Sequence, residues 1–296
     1  MRRKRMMVAL ATLAAMVLPV PALAGGPGPT GSAARAEEPA MPPCSPIAVP
    51  VSGESAAVGS GACPGVRPGG RVLTNIGDCT FNFLFRSPDG TRYIGTAGHC
   101  VSPGTEYTFK DTDTDGNGHF EKVWPRGRGP EAKGPDRRRI GEFAYTVNNS
   151  PKDFALIRLD PDVPASPEMC HFGAPRGLYT KEASTPVVLQ YYGNAEGLET
   201  VAPARSAVAI GTPNPDHIYA AGVALPGDSG AGVMTPDGLA IGVLVTTGYP
   251  IPTLNDPPQA NQGGVDVGTM GITRLGPQLA RAAQKLGVPL TLVTPE

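Results

Sequence analysis

Long helical periodicity of apolar residues is nearly absent from this sequence, and aromatic residues make up only 6% of it, with a single tryptophan. Little is therefore available for a core of packed helices. A strong charge of either sign is missing too, since 25 Lys and Arg face 26 Asp and Glu, and nothing favours nucleic acid or an anionic lipid surface as partner. After the first residues no apolar run approaches the length of a membrane span. Histidine is scarce, with His99, His119, His171 and His217 as the whole supply, so few side chains can act as a base near neutral pH. What the chain does have is 39 glycines and 34 prolines, a composition suited to many short strands joined by tight turns.

The N-terminus carries a pattern of its own. Met1-Arg2-Arg3-Lys4-Arg5 sets positive charge ahead of an apolar run from Met6 to Val20, and Ala22-Leu23-Ala24 supplies a small-x-small cleavage site, which together read as an export signal over residues 1–24. The run is about 15 residues where a bilayer-spanning helix needs roughly 20, so the expectation is a secreted, extracellular chain with no membrane partner. Removing the signal leaves 21 Lys and Arg against 26 Asp and Glu, a formal charge of −5. Export makes disulfides the expected fate of paired thiols, and five cysteines leave one over or lost by processing.

Residues 25–70, rich in Gly, Pro, Ala and Ser, lack the pattern of a core and read as a linker or pro-segment. From Val72 strand-like runs begin. Thr80 to Phe85, Ser87-Pro88-Asp89-Gly90 and Thr91 to Thr96 spell a hairpin, and Gly232 to Met234, Thr235-Pro236-Asp237-Gly238 and Leu239 to Val245 spell another. Ile140 to Thr146, Phe154 to Leu159, Pro186 to Tyr192 and Ala207 to Ile210 are further strand candidates. Only Arg274 to Leu286 has helical spacing, with Leu275, Leu279, Ala282 and Leu286 on one stripe. Short strands at regular spacing predict a sandwich or barrel.

A serine nucleophile needs a base to take its proton, a carboxylate to orient that base, and donors for the oxyanion. All four histidines precede the serine in the most nucleophile-like context, Gly227-Asp228-Ser229-Gly230. That order excludes the α/β-hydrolase arrangement, and Ala231 breaks Gly-x-Ser-x-Gly.

Thr96-Ala97-Gly98-His99-Cys100, Asp153-Phe154-Ala155-Leu156-Ile157 and Pro226-Gly227-Asp228-Ser229-Gly230 stand in that order, 54 and 76 residues apart between their key residues. They resemble the three signature segments of the trypsin/chymotrypsin family of serine proteases, bacterial secreted members above all, and the resemblance runs from about Val72 to the C-terminus. It implies an all-β fold of two antiparallel six-stranded β-barrels with a C-terminal helix: a protease domain at 71–296, barrels at about 71–165 and 176–272, and the helix at about 274–286. His99 would be the general base, Asp153 would accept its ring N–H, Ser229 would attack, and the backbone N–H groups of Gly227 and Ser229 would hold the oxyanion.

The resemblance also implies a Cys79–Cys100 disulfide that pins the loop bearing the base. Cys170 is similar in place to a cysteine that some members tie to an N-terminal segment, with Cys63 favoured as partner over Cys44; a local Cys44–Cys63 bridge stays open. By the same resemblance the specificity pocket would fall at Val223, Gly248 and Gly271, and Val223 is not an acid, which would disfavour recognition of Arg or Lys and imply cleavage after apolar or small residues. No Ile-Val-Gly-Gly-like tetrapeptide follows a basic residue, Arg71-Val72-Leu73 being nearest. Asp228 would then pair with an internal arginine, Arg176 or Arg205, as in bacterial relatives.

Asp111, Asp113, Asp115 and Asn117 alternate as in a calcium loop, with Gly116 at the turn. Position twelve is Lys122, so only Glu121, one place early, could substitute, and a solvated acidic turn is the competing reading. The basic stretch Arg126 to Arg139 reads as a flexible, solvated loop. The expected activity is that of a monomeric serine endopeptidase acting on protein or peptide through an acyl-enzyme without a required cofactor. A noncatalytic binding protein on the same scaffold and an esterase using the same nucleophile are the alternatives.

Overall fold

The computed structural model describes residues 65–102, 120–149, 151–181, 186–195, 204–247 and 268–295. The first sheet is built from β1 (Arg71–Leu73), β2 (Asp78–Thr80), β3 (Leu84–Arg86), β4 (Arg92–Thr96), β5 (Phe120–Val123), β6 (Glu131–Lys133), β7 (Arg139–Asn149) and β8 (Lys152–Leu159). The second holds β9 (Gly177–Leu178), β10 (Val187–Tyr192), β11 (Ala204–Asn214), β12 (His217–Gly222), β13 (Gly232–Met234), β14 (Leu239–Thr247) and β15 (Gly268–Arg274). Helix α1 (Leu275–Leu286) follows, and β16 (Thr291–Leu292) returns to the first sheet beside β3.

The second sheet closes on itself. Its order is β13-β10-β11-β12-β15-β14, and β14 pairs back with β13, giving a six-stranded antiparallel barrel to which β9 adds in parallel. The first sheet runs β16-β3-β4-β8-β7-β6-β1-β2 with β5 also on β7, and among the described residues it curls without closing into a ring. The expected pair of barrels is therefore one closed barrel and one curled, half-closed sheet of nine strands.

Turn chemistry explains the two hairpins. At Gly90, φ is 85°, and Ser87 and Thr91 close the turn while the Asp89 carboxylate caps the Thr91 N–H at 3.0 Å. Gly238 does the same at φ 84°, with the Thr235 hydroxyl accepting the Leu239 N–H at 3.0 Å. Strands β7 and β8 are buried along nearly their whole length. Helix α1 buries Leu275, Leu279 and Ala282 as its spacing predicts, ends on Gly287 at φ 70°, and has the Val288 N–H on the Ala283 carbonyl at 3.2 Å.

Two sequence expectations need correction. The linker reading over residues 25–70 extends too far, because residues 66–70 are buried, Val66 bridges Ala165, and the Gly69 N–H donates to the Phe81 carbonyl at 2.9 Å. Backbone pairing, which leaves no mark on a Gly- and Pro-rich composition, is what recruits them. The basic stretch Arg126 to Arg139 is not a loose loop either. It contains β6, and its Gly134–Arg138 turn is closed by hydrogen bonds from Gly134 to Arg138 and from Arg137 to Gly134, both at 2.9 Å.

Candidate active site

The loop that carries His99 begins where β4 ends and passes into a 3₁₀ turn, Gly98–Cys100. Position 98 has to be glycine, since a Cβ there would run into the Val147 carbonyl of β7. Thr146 Oγ1 donates to the Gly98 carbonyl at 3.1 Å, and a Cys79–Cys100 disulfide ties the turn to β2.

Asp153 sits near the start of β8, opposite Asn148 of β7, and is 1% exposed. Its two carboxylate oxygens are spent on one residue: Oδ1 accepts the His99 backbone N–H at 2.9 Å and Oδ2 lies 2.7 Å from His99 Nδ1. This arrangement favours the tautomer with its proton on Nδ1 and a free lone pair on Nε2. Burial works against a charged His99, but the charge of Asp153 and its hydrogen bond together outweigh that, and the imidazole pKa is raised above its ordinary value. The His99 side chain keeps 22% of its surface exposed, which leaves an approach from solvent.

Ser229 comes from the other barrel, in a tight turn with Gly227 at φ 96° and Gly230 at φ 92°, angles that glycine tolerates and larger residues resist. The turn is stitched to the histidine side. The Thr80 N–H donates to the Ser229 carbonyl at 2.8 Å, Cys100 Sγ lies 3.9 Å from the same oxygen, and a Cβ at Gly230 would strike Thr96 Oγ1 and the Thr80 carbonyl. Among the described residues, neither the Gly227 nor the Ser229 backbone N–H donates to an acceptor. Both donors are thus left without an acceptor of the chain's own.

Of the two arginines considered for Asp228, the structure brings Arg205. Its Nη1 meets Asp228 Oδ2 at 2.6 Å and its Nη2 meets Oδ1, with Asp228 fully buried. The guanidinium also lies over the Tyr191 ring, 5.0 Å from the centroid. Burial pushes the Asp228 pKa up, opposed by Arg205 and by the Leu225 and Ala195 N–H groups. Arg176 is elsewhere, donating its backbone N–H to Gly238.

Val223, 41% exposed, follows β12 and uses its carbonyl to accept from Tyr191 and Arg205. Gly271 is buried on β15, and a Cβ there would meet Thr246 Oγ1 and His217 Nε2, so its open side faces those two residues. Gly248, Cys44, Cys63 and Asp111, Asp113, Asp115 and Asn117 lie outside the described residues; Cys170 is disulfide-bonded. Glu121, the one candidate for the twelfth calcium position that is described, instead accepts from Tyr145 at 2.8 Å and meets Lys285 of α1 at 3.0 Å.

Three residues of the site have no motif to announce them. Two are Thr80, whose hydroxyl donates to the Gly227 carbonyl at 2.8 Å, and Asn194, whose Nδ2 donates to that hydroxyl at 3.2 Å. His217, 2% exposed on β12, pairs across to Thr273 of β15, whose Oγ1 donates to the Pro151 carbonyl at 2.9 Å, two residues before Asp153. A histidine placed after a run of turn residues gives no sequence sign of that neighbourhood.

The architecture is that of the chymotrypsin-like serine proteases. Solved structures with this fold that the chain resembles include Thermobifida fusca Protease A, at TM-score 0.51 and 16% identity over 78% of this chain and 99% of that one. The Nocardiopsis protease NAPase matches at TM-score 0.51 and 17% identity over 77% and 99%. No protein-family model and no curated protein matches the sequence. Among the described residues no helix is long and apolar enough to cross a membrane.

Proposed function

We propose that this chain is a secreted serine endopeptidase that cleaves peptide bonds through an acyl-enzyme on Ser229. The observation that carries the reading is the double grip of Asp153 on His99, through the backbone N–H at 2.9 Å and Nδ1 at 2.7 Å. It fits a base held in one tautomer beside a serine loop whose Gly227 and Ser229 N–H groups are open. In the reaction His99 Nε2 takes the Ser229 hydroxyl proton as Oγ adds to the carbonyl, and the two N–H groups receive the oxyanion. The imidazolium then protonates the leaving amine. Water repeats the sequence to release the acid and restore the serine.

Val223 in place of an acid supports cleavage after apolar or small residues. The export pattern of residues 1–24 and the Cys79–Cys100 disulfide support an extracellular setting. The wild-type chain, offered casein, short-chain esters and a peptide library, is expected to cleave casein and to prefer apolar or small residues before the scissile bond, with Ser229→Ala inactive. Ester hydrolysis without proteolysis would assign it to the esterases, and dominant cleavage after Lys or Arg would overturn the specificity.

A further inference from the structure

We infer that Thr80 is the positioning residue of the oxyanion loop, locking it from the opposite barrel through its side-chain hydroxyl. The inference rests on the protease reading and goes beyond it, since nothing in the catalytic signature segments includes residue 80.

Every polar atom of Thr80 is engaged, and the residue is fully buried. Its hydroxyl donates to the Gly227 carbonyl at 2.8 Å. The same oxygen accepts from the Asn194 backbone N–H at 3.1 Å and from Asn194 Nδ2 at 3.2 Å. A hydroxyl has one donor and two acceptor positions, so this one is saturated and its proton has a single direction, toward Gly227. Asn194 is itself held, because its Nδ2 also donates to the Gly69 carbonyl at 2.8 Å. The backbone completes the node: the Thr80 N–H donates to the Ser229 carbonyl at 2.8 Å, and its carbonyl accepts Thr96 Oγ1 at 2.9 Å.

The peptide between Gly227 and Asp228 is thereby gripped at both ends, its carbonyl by Thr80 and its N–H by the Leu225 carbonyl at 3.1 Å. Gly227 at φ 96° has no Cβ to restrict rotation, so the carbonyl side of this peptide is held by its contact rather than by its own backbone, while the Asp228 side is held by Leu225 and Arg205. The Gly227 and Ser229 N–H groups belong to the peptides on either side of this one, so holding its plane holds their relative aim. Thr80 supplies the missing restraint, and it does so from the residue adjacent to Cys79, whose disulfide holds the His99 turn. Thr80 thus ties the oxyanion donors to the side of the fold that carries the base, alongside the Arg205–Asp228 pair that anchors them to their own barrel.

The test compares full-length wild type with Thr80→Val, which keeps the shape and removes the hydroxyl, Thr80→Ser, which restores it, and Asn194→Ala, a partly exposed position. Thr80→Val is expected to lower kcat about 10- to 100-fold, below the loss for deleting an oxyanion donor outright, with KM changed less than about twofold. Affinity for a peptide aldehyde, whose adduct places an oxygen on the two N–H groups, should fall by the same factor. Thr80→Ser should recover most of the loss, and Asn194→Ala should show part of it. Amide hydrogen exchange at residues 225–230 should accelerate in Thr80→Val. A lowered melting temperature with kcat and aldehyde affinity unchanged overturns the inference. If wild type neither cleaves peptide nor binds the aldehyde, the protease reading falls, and exchange at 225–230 alone decides Thr80: unchanged exchange in Thr80→Val refutes it.

Discussion

His99 and His217 lie on opposite sides of the question of how Asp153 shapes its surroundings. The carboxylate grips His99 directly and raises its pKa. Activity should therefore rise with pH through a midpoint above 6.5, the ordinary value, because only the neutral ring can accept the serine proton. A kcat/KM profile checks this, and Asp153→Asn should lower kcat about 10⁴-fold while the fold persists. His217 is farther off, and burial holds its pKa down at about 4 against the pull of Asp153 and the Pro151 carbonyl. The unfolded chain takes up that proton near 6.5 and the folded one only near 4, so stability is present above 6.5 and drains away as pH falls through this window. The drain amounts to about 3 kcal/mol. Denaturant titrations at pH 7 and pH 4 should show that loss, and His217→Leu should remove most of it. The candidate trio of His99, Asp153 and Ser229 is legible in the sequence because three short signatures carry it. Thr80, Asn194 and His217 are not, because their roles come from contacts such as that between Thr80 and Gly227, 147 residues apart.

Among elements, the nucleophile turn depends on an ion pair anchored in β11. Arg205 is 8% and Asp228 0% exposed at the side chain, so Arg205→Met strands a buried carboxylate, an arrangement that typically costs roughly 3–5 kcal/mol. The denaturation midpoint should drop accordingly and kcat with it, whereas adding Asp228→Asn should restore part of the stability. Helix α1 packs against β7 and β8 of the first sheet and β14 of the second, burying Leu279, and its Lys285 meets Glu121 of β5. Leu279→Ala should destabilise by about 2–5 kcal/mol without altering KM. The two Pro-Asp-Gly hairpins, the long strands and α1 are readable because each shows several repeats of its period or a turn that dictates its own geometry. Strands of three or four residues such as β1, β2, β5 and β6 show too few alternations to register. Half of β12, with its two adjacent alanines, carries little β preference of its own.

For the whole molecule, the closed second barrel presents the Ser229 turn to a curled first sheet that supplies His99 and Asp153, and Thr80 joins the two. The sequence implies two equal barrels; the first remains open among the described residues because its outermost strands, β2 and β16, do not pair with each other. The central claim is that Ser229 is a nucleophile activated by His99. It is tested most directly by incubating the full chain with a fluorophosphonate and locating the adduct by peptide mass mapping. The expected result is one adduct, on Ser229, forming faster as pH rises through the His99 pKa and absent from Ser229→Ala and His99→Ala. An adduct on another residue, or labelling that survives either substitution, would contradict the claim.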